Sequence, residues 1–175
     1  MAATESAGGA GRARARVGFP GSGEASVVTG IPVLDHLLGL VARSGRFDLE
    51  VEAAPGGALD EAVACGHALG DALGKALHAP GARRSGAGHT PADEALAQVV
   101  LEASGRPLLV SNVDLSAAHV GGLGTDVIAR FLDALANEAG LTLHVRLVEG
   151  EETEHVLEAI FKALGAALGE ALSPT

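Results

Sequence analysis

The chain has 175 residues, enough for one domain with a sizeable core or for two halves of a duplicated one. Apolar residues make up 47% of it but aromatic residues only 2%, so the core must be built from Leu, Val, Ala and Ile. A net charge of −10 argues against a general nucleic-acid or anionic-membrane binder, and the single Cys65 excludes an intrachain disulfide framework and fits a reducing cytoplasm.

The predicted elements begin after a flexible leader at residues 1–11, which lacks the apolar core of a signal peptide. In chain order they are a strand near 12–17, a helix over 32–44, a strand over 47–53, a helix over 58–77, strands over 96–103 and 106–113, a helix over 125–139, a strand over 141–149 and a helix over 153–172. A Gly/Pro-rich segment at 78–91 separates the halves. No apolar run approaches the roughly 20 residues of a membrane span, so we expect a cytoplasmic protein that binds no membrane.

The two halves resemble each other. GLVARSGRFDLEVEA followed by EAVACGHALGDALGKAL matches ALANEAGLTLHVRLVEG followed by EHVLEAIFKALGAALGEAL. The ALG triplets at 68–70 and 163–165 set a constant register of 95 positions. A helix, a strand and another helix therefore recur, which predicts an α+β fold with a duplicated unit. We place the repeats at 12–80 and 81–175, packed together as one globular domain.

Seven stretches carry a family resemblance over roughly residues 17–172. They are TGIPVLDHLLGLVARSGRFDL, ALGDAL, RSGAGHTPADEAL, SGRPLLV, GTDVIARFLDALA, LTLHV and EHVLEAIFKAL. Together they resemble the imidazoleglycerol-phosphate dehydratase family of histidine biosynthesis. The resemblance implies two copies of a β-β-α-β type unit (ribosomal S5 domain 2-like) with left-handed crossovers. It also implies a homotrimer or higher homo-oligomer with the active site at subunit contacts; in the family, paired manganese ions join trimers into a larger shell.

The family dehydrates a phosphorylated imidazole diol with two metals, held by histidines and glutamates in AxHG, HHTxED, TLH and HHxxE motifs. Imidazole and carboxylate ligands suit a divalent transition metal acting as a Lewis acid. Here Ser44 stands at the AxHG histidine, and both histidines and the glutamate of HHTxED are replaced. The replacements in that run are Leu59, Asp60 and Val63.

The ligands that the resemblance leaves in kind are His144, His155 and Glu158, and Asp60 and Glu154 are carboxylate substitutes. We therefore expect no metal cofactor, or at most one divalent transition metal. A single site using Asp60, His155 and Glu158 is one interpretation. The other is that these groups are hydrogen-bonded or solvated without a metal. The candidate catalytic residues are Glu158, His155, Asp60 and Glu94; the last matches the family's PMDEA and has a packing or turn role as its alternative.

The resemblance also implies a site for a phosphorylated small-molecule ligand. Arg84 in RSG, Arg106 in SGRP and Lys162 in FKA match the cations that grip the substrate phosphate in the family. Two guanidiniums and an ammonium that converge on one point bind phosphate strongly. The alternative is three surface cations with no shared ligand.

Three functional interpretations stay open. The first is a diverged lyase on a phosphorylated small molecule, with a degraded or absent dimanganese centre. The second is an authentic imidazoleglycerol-phosphate dehydratase. The third is a non-catalytic paralogue that binds a phosphate metabolite or assembles with an active subunit. The replaced ligands argue against the second, because losing even one ligand of a metal centre usually cripples it. The retained cations narrowly favour the first over the third, because a purely structural remnant would not require them.

Overall fold

The computed structural model of the chain describes residues 2–8, 12–116 and 118–175. The first half contains β1 (Ala2–Gly8), β2 (Ala13–Phe19), β3 (Ala25–Val28), α1 (Pro32–Gly45), β4 (Asp48–Ala53) and α2 (Ala58–Leu77). The second half contains β5 (Ser85–Ala92), β6 (Ala95–Glu102), β7 (Leu108–Ser111), β8 (His119–Val120), β9 (Leu123–Gly124), α3 (Thr125–Ala139), β10 (Thr142–Glu149) and α4 (Thr153–Leu172). None of the helices in these ranges is long and apolar enough to cross a membrane.

The four predicted helices are confirmed, and α1 is one residue longer than expected. Pro32 suits the first turn of α1, where its missing N–H has no intrahelical partner to lose. The helix ends at Gly45, and the next residue, Arg46, adopts a left-handed conformation with φ 54°. Its apolar face buries Leu34, Leu37 and Val41 in the core.

The strands form two four-stranded sheets with the same order. The first sheet runs β1-β2-β4-β3 and the second β5-β6-β10-β7. In each sheet the third strand pairs antiparallel with the second and parallel with the fourth. The predicted α+β fold with a duplicated unit is therefore confirmed by topology as well as by sequence.

The helices lie between the two sheets. α2 covers one face of the first sheet and α4 covers one face of the second, while α3 packs on α2 and α1 packs on α4. The two helix pairs thus join the repeats. Strand alternation buries the sheet faces that meet the helices, as with Leu49 and Val51 in β4, and leaves the opposite faces outside.

Glycine at the repeated ALG triplets allows both helix pairs to touch. A Cβ at Gly70 of α2 would lie 2.8 Å from the carbonyl oxygen of Leu135 in α3. Its counterpart Gly165 of α4 packs in the same way against the backbone of Val41 in α1. The sequence repeat therefore preserves a close helix contact, not only an apolar pattern.

Three predictions about organisation are corrected. The flexible leader is wrong over residues 2–8, which form β1 against β2; Met1 and residues 9–11 lie outside the described residues. The separating segment at 78–91 is wrong from Ser85 onward, where β5 begins. The constant register of 95 holds for α2 and α4, which start at 58 and 153, but Leu49 and Leu143 differ by 94. A β-bulge in β10 between Leu147 and Glu149 accommodates the extra residue.

Candidate functional site

A row of polar side chains runs along the first half of α4. His155, Glu158 and Lys162 lie on it at helical spacing. Three groups from elsewhere meet this row: His36 of α1 and the carboxylates of Asp93 and Glu94. We call these six residues the α4 polar cluster.

His155 is held by carboxylates at both ring nitrogens. Its Nδ1 lies 2.9 Å from Oε2 of Glu94, and its Nε2 lies 3.3 Å from Oδ2 of Asp93. The two carboxylates form the two-residue turn between β5 and β6, where Ala92 pairs with Ala95. Asp93 has φ 50°, a left-handed conformation that aspartate tolerates better than most residues.

This arrangement shifts both pKa values in the direction of an ion pair. The pKa of Glu94 is lowered, first by the hydrogen bond that its carboxylate accepts from the backbone N–H of Glu152 and then by His155. The pKa of His155 is raised, mainly by its hydrogen bond to Glu94. His155 is therefore biased towards the imidazolium form, which has no free nitrogen lone pair.

Glu158 joins α4 to the first repeat. Its Oε1 lies 3.3 Å from Nε2 of His36 on α1. Beside this pair the two helices enclose a groove of about 230 Å³. The groove has an apolar floor and a polar rim, lined by Pro32, Val33, Leu37, Val120 and Leu157 and by His36, Glu154 and Glu158. An apolar floor with few polar groups is the usual composition of a small-molecule site.

Lys162 continues the row two turns beyond His155. Its Nζ donates to the carbonyl oxygen of Pro91 at 2.6 Å, and the hydroxyl of Thr90 donates to the carbonyl oxygen of Ala159 at 2.9 Å. These two hydrogen bonds hold the end of β5 against α4, on the side of the helix that also contacts Asp93 and Glu94. Lys162 stays partly exposed and can still reach a ligand.

The structure separates the three predicted phosphate-binding cations within one chain. Arg84 lies at the start of β5, where its N–H donates to the carbonyl oxygen of Ala171, and its own carbonyl accepts from Ala103 near Arg106. Lys162 contacts Pro91 near the other end of the strand. The seven residues of extended chain from Arg84 to Pro91 span about 23 Å. Arg84 and Arg106 thus lie at one end of the second sheet and Lys162 at the other.

Two further candidates stand apart from the α4 polar cluster. Asp60 lies at the start of α2, exposed, with Arg12 as its ion-pair partner at 3.9 Å. His144 in β10 points to the outer face of the second sheet, because its neighbours Leu143 and Val145 are buried against the helices. The sheet therefore separates His144 from His155 and Glu158 of the same chain.

Among the described residues of a single chain, the side chains are not arranged to hold a metal ion. Across residues 2–8, 12–116 and 118–175, no three His, Cys, Asp or Glu side chains are arranged to hold one ion. Asp93 and Glu94 bind opposite nitrogens of His155, so the three groups do not point at a common centre. Within the described residues, one chain taken alone therefore does not bring a set of metal ligands together.

Sequence reasoning missed His36 as a site residue. The carboxylate of its neighbour Asp35 accepts a hydrogen bond from the backbone N–H of Thr29 at 3.0 Å, which is a structural role. His36 points instead towards Glu158 of the other repeat. The signal for it was its place within TGIPVLDH, but the pairing of α1 with α4 that gives it a partner is a tertiary contact.

The chain is a duplicated α+β protein, built from two packed β-β-α-β units. A polar cluster lies at the start of its last helix. This is the class of protein that the resemblance implies. The imidazoleglycerol-phosphate dehydratase family model matches residues 29–168. The imidazoleglycerol-phosphate dehydratase of Pelobacter propionicus is 42% identical over 161 residues, covering 90% of this chain and 83% of that protein. The one from Aromatoleum aromaticum is 41% identical with the same coverage.

Solved structures of imidazoleglycerol-phosphate dehydratases have the same fold as this chain. The crystal structure of imidazoleglycerol-phosphate dehydratase from Staphylococcus aureus has a TM-score of 0.88 at 31% identity, covering 99% of this chain and all of that chain. The enzyme from Pyrococcus furiosus, in complex with (S)-C348, has a TM-score of 0.81 at 27% identity, with coverage of 94% and 91%. The chain belongs to the imidazoleglycerol-phosphate dehydratase family. These relatives are dehydratases, so the expected hydro-lyase class is confirmed.

Proposed function

We propose that this chain is a hydro-lyase that removes water from imidazoleglycerol phosphate. The observation that carries the proposal is 42% identity to a named dehydratase over 90% of the chain. This revises the ranking of the three functional interpretations, because the similarity favours the authentic dehydratase over the diverged lyase. The family's manganese supplies Lewis-acid chemistry where it is bound. Proton transfer and substrate binding fall to the chain's own side chains.

The α4 polar cluster supplies the acid and the base that a dehydration needs. One group must accept the proton from carbon, and another must protonate the departing hydroxyl so that it leaves as water. The hydrogen bond to Glu94 raises the pKa of His155, which favours the imidazolium form and suits it to donate the second proton. Glu158, paired with His36 at the rim of the apolar groove, is suited to accept the first. The groove floor would hold the imidazole ring away from water.

The phosphate would be bound between chains. The backbone of Arg84 lies about 23 Å along β5 from Pro91, the residue that Lys162 contacts, and Arg106 lies near Arg84. Within one chain these cations are too far apart to share one phosphate. In a homotrimer or higher homo-oligomer, the two arginines of one copy would meet Lys162 of another. The separation of these cations within one chain supports such an assembly, in which the phosphate pocket is completed only by a neighbour.

A second candidate function is favoured by a specific observation. Both nitrogens of His155 contact carboxylates, and Ser44, Leu59 and Val63 stand at positions where the resemblance implies ligands. These features fit a diverged lyase that acts on another phosphorylated small molecule with little or no bound metal. The two candidates share the phosphate site and differ in the substrate and in the need for metal.

The experiment is a turnover assay on the purified full chain with imidazoleglycerol phosphate, with added manganese and after chelation, followed by mass spectrometry of the dehydrated product. We expect turnover that Lys162→Met reduces at least about tenfold, since it removes a charged phosphate contact. Lys75→Met is the matched control, because Lys75 pairs with Asp71 on α2. Failure of the wild type to complement a histidine auxotroph, with phosphate binding intact, would favour the second candidate. No turnover and no Lys162-dependent binding would leave the non-catalytic paralogue that assembles with an active subunit.

A further inference from the structure

A pocket of about 320 Å³ lies between β7, the edge strand of the second sheet, and the start of α3. It shares no lining residue with the groove between α1 and α4. None of the side chains to which the proposed function gives a role lines it. Its volume is at the lower end of the range for ligand pockets, which suits a small molecule.

One wall of the pocket comes from a segment that the first repeat lacks. In the first repeat the connection from β3 to α1 is residues 29–31, whereas in the second the connection from β7 to α3 is residues 112–124. The longer connection contributes to the wall the side chains of Val113, Asp114, Leu115 and Ser116. Duplication of the unit therefore does not account for this pocket.

The floor of the pocket is aliphatic and belongs to the core. Leu132, Val145 and Ile160 line it, and each is 3% exposed or less. The remaining apolar residues of the lining are Leu109, Val113, Leu115 and Ala129. Among the described residues, no aromatic ring lines the pocket. A lining of branched aliphatic side chains favours an aliphatic group on the ligand.

The start of α3 adds two charged groups of opposite sign. Asp126 and Arg130 lie one turn apart, on the same helix face as the lining residue Ala129. Both side chains are exposed, and neither makes a hydrogen bond or an ion pair within the described part of the chain. Residues at this spacing can pair with each other, and here they do not. The carboxylate and the guanidinium are therefore available to a ligand.

The connection from β7 to α3 adds a second carboxylate. Oδ1 of Asp114 accepts hydrogen bonds from the hydroxyl and the backbone N–H of Ser116 at 2.6 and 2.9 Å. These bonds lower the pKa of Asp114 and orient its carboxylate. Its Oδ2 has no hydrogen-bond partner in the ranges that the structure describes. The pocket thus combines an aliphatic floor with two carboxylates and one guanidinium.

We propose that this pocket binds a free α-amino acid with a branched aliphatic side chain, such as leucine. The side chain of the ligand packs on the aliphatic floor. Its α-carboxylate pairs with the guanidinium of Arg130, and its α-ammonium pairs with the carboxylates of Asp114 and Asp126. A zwitterion uses the charged groups of both signs, which an amine or a carboxylic acid alone does not. The site is separate from the proposed catalytic groove, and the proposal does not rest on the proposed function.

Isothermal titration calorimetry of the purified full chain with L-leucine tests the proposal. Three analogues each lack one of the groups that the pocket contacts: isoamylamine lacks the carboxylate, isocaproate lacks the ammonium, and glycine lacks the side chain. We expect saturable binding of L-leucine, and at least about tenfold weaker binding of each analogue. The analogues are measured on the wild type, so this comparison does not depend on the folding of any variant.

Two variants locate the ligand. Arg130→Gln and Asp126→Asn, each folded by circular dichroism, should bind L-leucine at least about tenfold more weakly than the wild type. Arg43→Gln is the matched control, since Arg43 is an exposed arginine on α1 that does not line the pocket, and it should bind with unchanged affinity.

Four outcomes would overturn the proposal. They are no saturable binding of L-leucine by the wild type, full affinity in Arg130→Gln, equal affinity for isoamylamine and L-leucine, and loss of L-leucine binding in Lys162→Met. The last result would place the ligand at the proposed phosphate contact instead of in this pocket. No substrate is turned over in these titrations, so their failure would leave the proposed function standing.

Discussion

Glu94 and His155 form the contact that ties the β5–β6 turn to the start of α4. The carboxylate of Glu94 accepts a hydrogen bond from Nδ1 of His155 at 2.9 Å and a second from the backbone N–H of Glu152 at 3.0 Å. The side chain of Glu94 thus pairs with the backbone N–H that precedes α4 and also orients the imidazole of His155. The same contact raises the pKa of His155, the proposed acid.

Glu94→Gln should lower the pKa of His155 towards its ordinary value, because the main cause of the upward shift is removed. The measurement is a proton NMR titration of His155 in chelated protein. Glu138→Gln is the matched control, since it removes the carboxylate partner of His67 and should leave the titration of His155 unchanged. An unaltered His155 pKa in Glu94→Gln would show that Glu94 does not set it.

Glu94→Gln should also lower the stability of the fold within a defined pH range. The raised His155 pKa stabilises the fold fully below the ordinary value of 6.5, and this contribution is lost as pH rises through the folded value. The lowered Glu94 pKa stabilises the fold above 4.5, and its contribution is lost as pH falls through the folded value. The wild type should therefore exceed Glu94→Gln in stability most between about pH 4.5 and 6.5, as measured by urea unfolding across that range.

Asp48 should stabilise the fold at neutral pH, and this contribution should be lost only in acid. Its Oδ1 accepts hydrogen bonds from the backbone N–H groups of Ser22, Gly23 and Glu24 at 2.9, 3.1 and 3.1 Å, which lowers its pKa. The contribution is present above the ordinary value of 3.8 and is lost as pH falls through the folded value. Asp48→Asn should be less stable than the wild type at pH 7 and equal to it in acid below the folded pKa. Equal unfolding midpoints at pH 7 would refute this.

Helical periodicity predicted the helices well because each of the four buries one apolar stripe. In α3, for example, Ile128, Phe131 and Leu135 face the core at the expected spacing. Strand β5 was missed because its Gly86, Gly88 and Pro91 are typical of a loop. The two glycines allow β5 to pack closely against α4. A local sequence pattern cannot predict that tertiary contact.

The site was predictable only in part, for a related reason. The residues on α4 could be placed because His155, Glu158 and Lys162 share one helix face. His36 needed the contact between α1 and α4, and the separation of Arg84 from Lys162 needed the course of β5. Likewise, the outward direction of His144 follows from strand register, which fixes the face of every residue but cannot be read from the LTLHV motif alone.

Gly88→Ala should disrupt the packing of β5 on α4. A Cβ at Gly88 would overlap the carbonyl oxygen of Ala163, and helix backbone cannot move aside as a side chain can. Overpacking of this kind typically costs about 1–3 kcal/mol, which denaturant unfolding resolves. Gly57→Ala is the control, because nothing lies within 4 Å of its added methyl group. Its position before α2 limits the cost to about 1 kcal/mol or less. Equal destabilisation by the two variants would argue against the close strand–helix contact.

Phe131 and Phe161 should couple α3 to α4 through the core. Both rings are fully buried, with centroids 6.2 Å apart and planes inclined by 26°. Phe161→Ala should cost about 3–5 kcal/mol, a large share of the total stability of a domain this size. The exposed Leu59→Ala should cost less than about 0.5 kcal/mol under the same urea titration. In a double-mutant cycle the two phenylalanine truncations should be non-additive by about 0.5 kcal/mol or more, because each ring loses the same neighbour. Strict additivity would mean that the rings contribute to the core independently of each other.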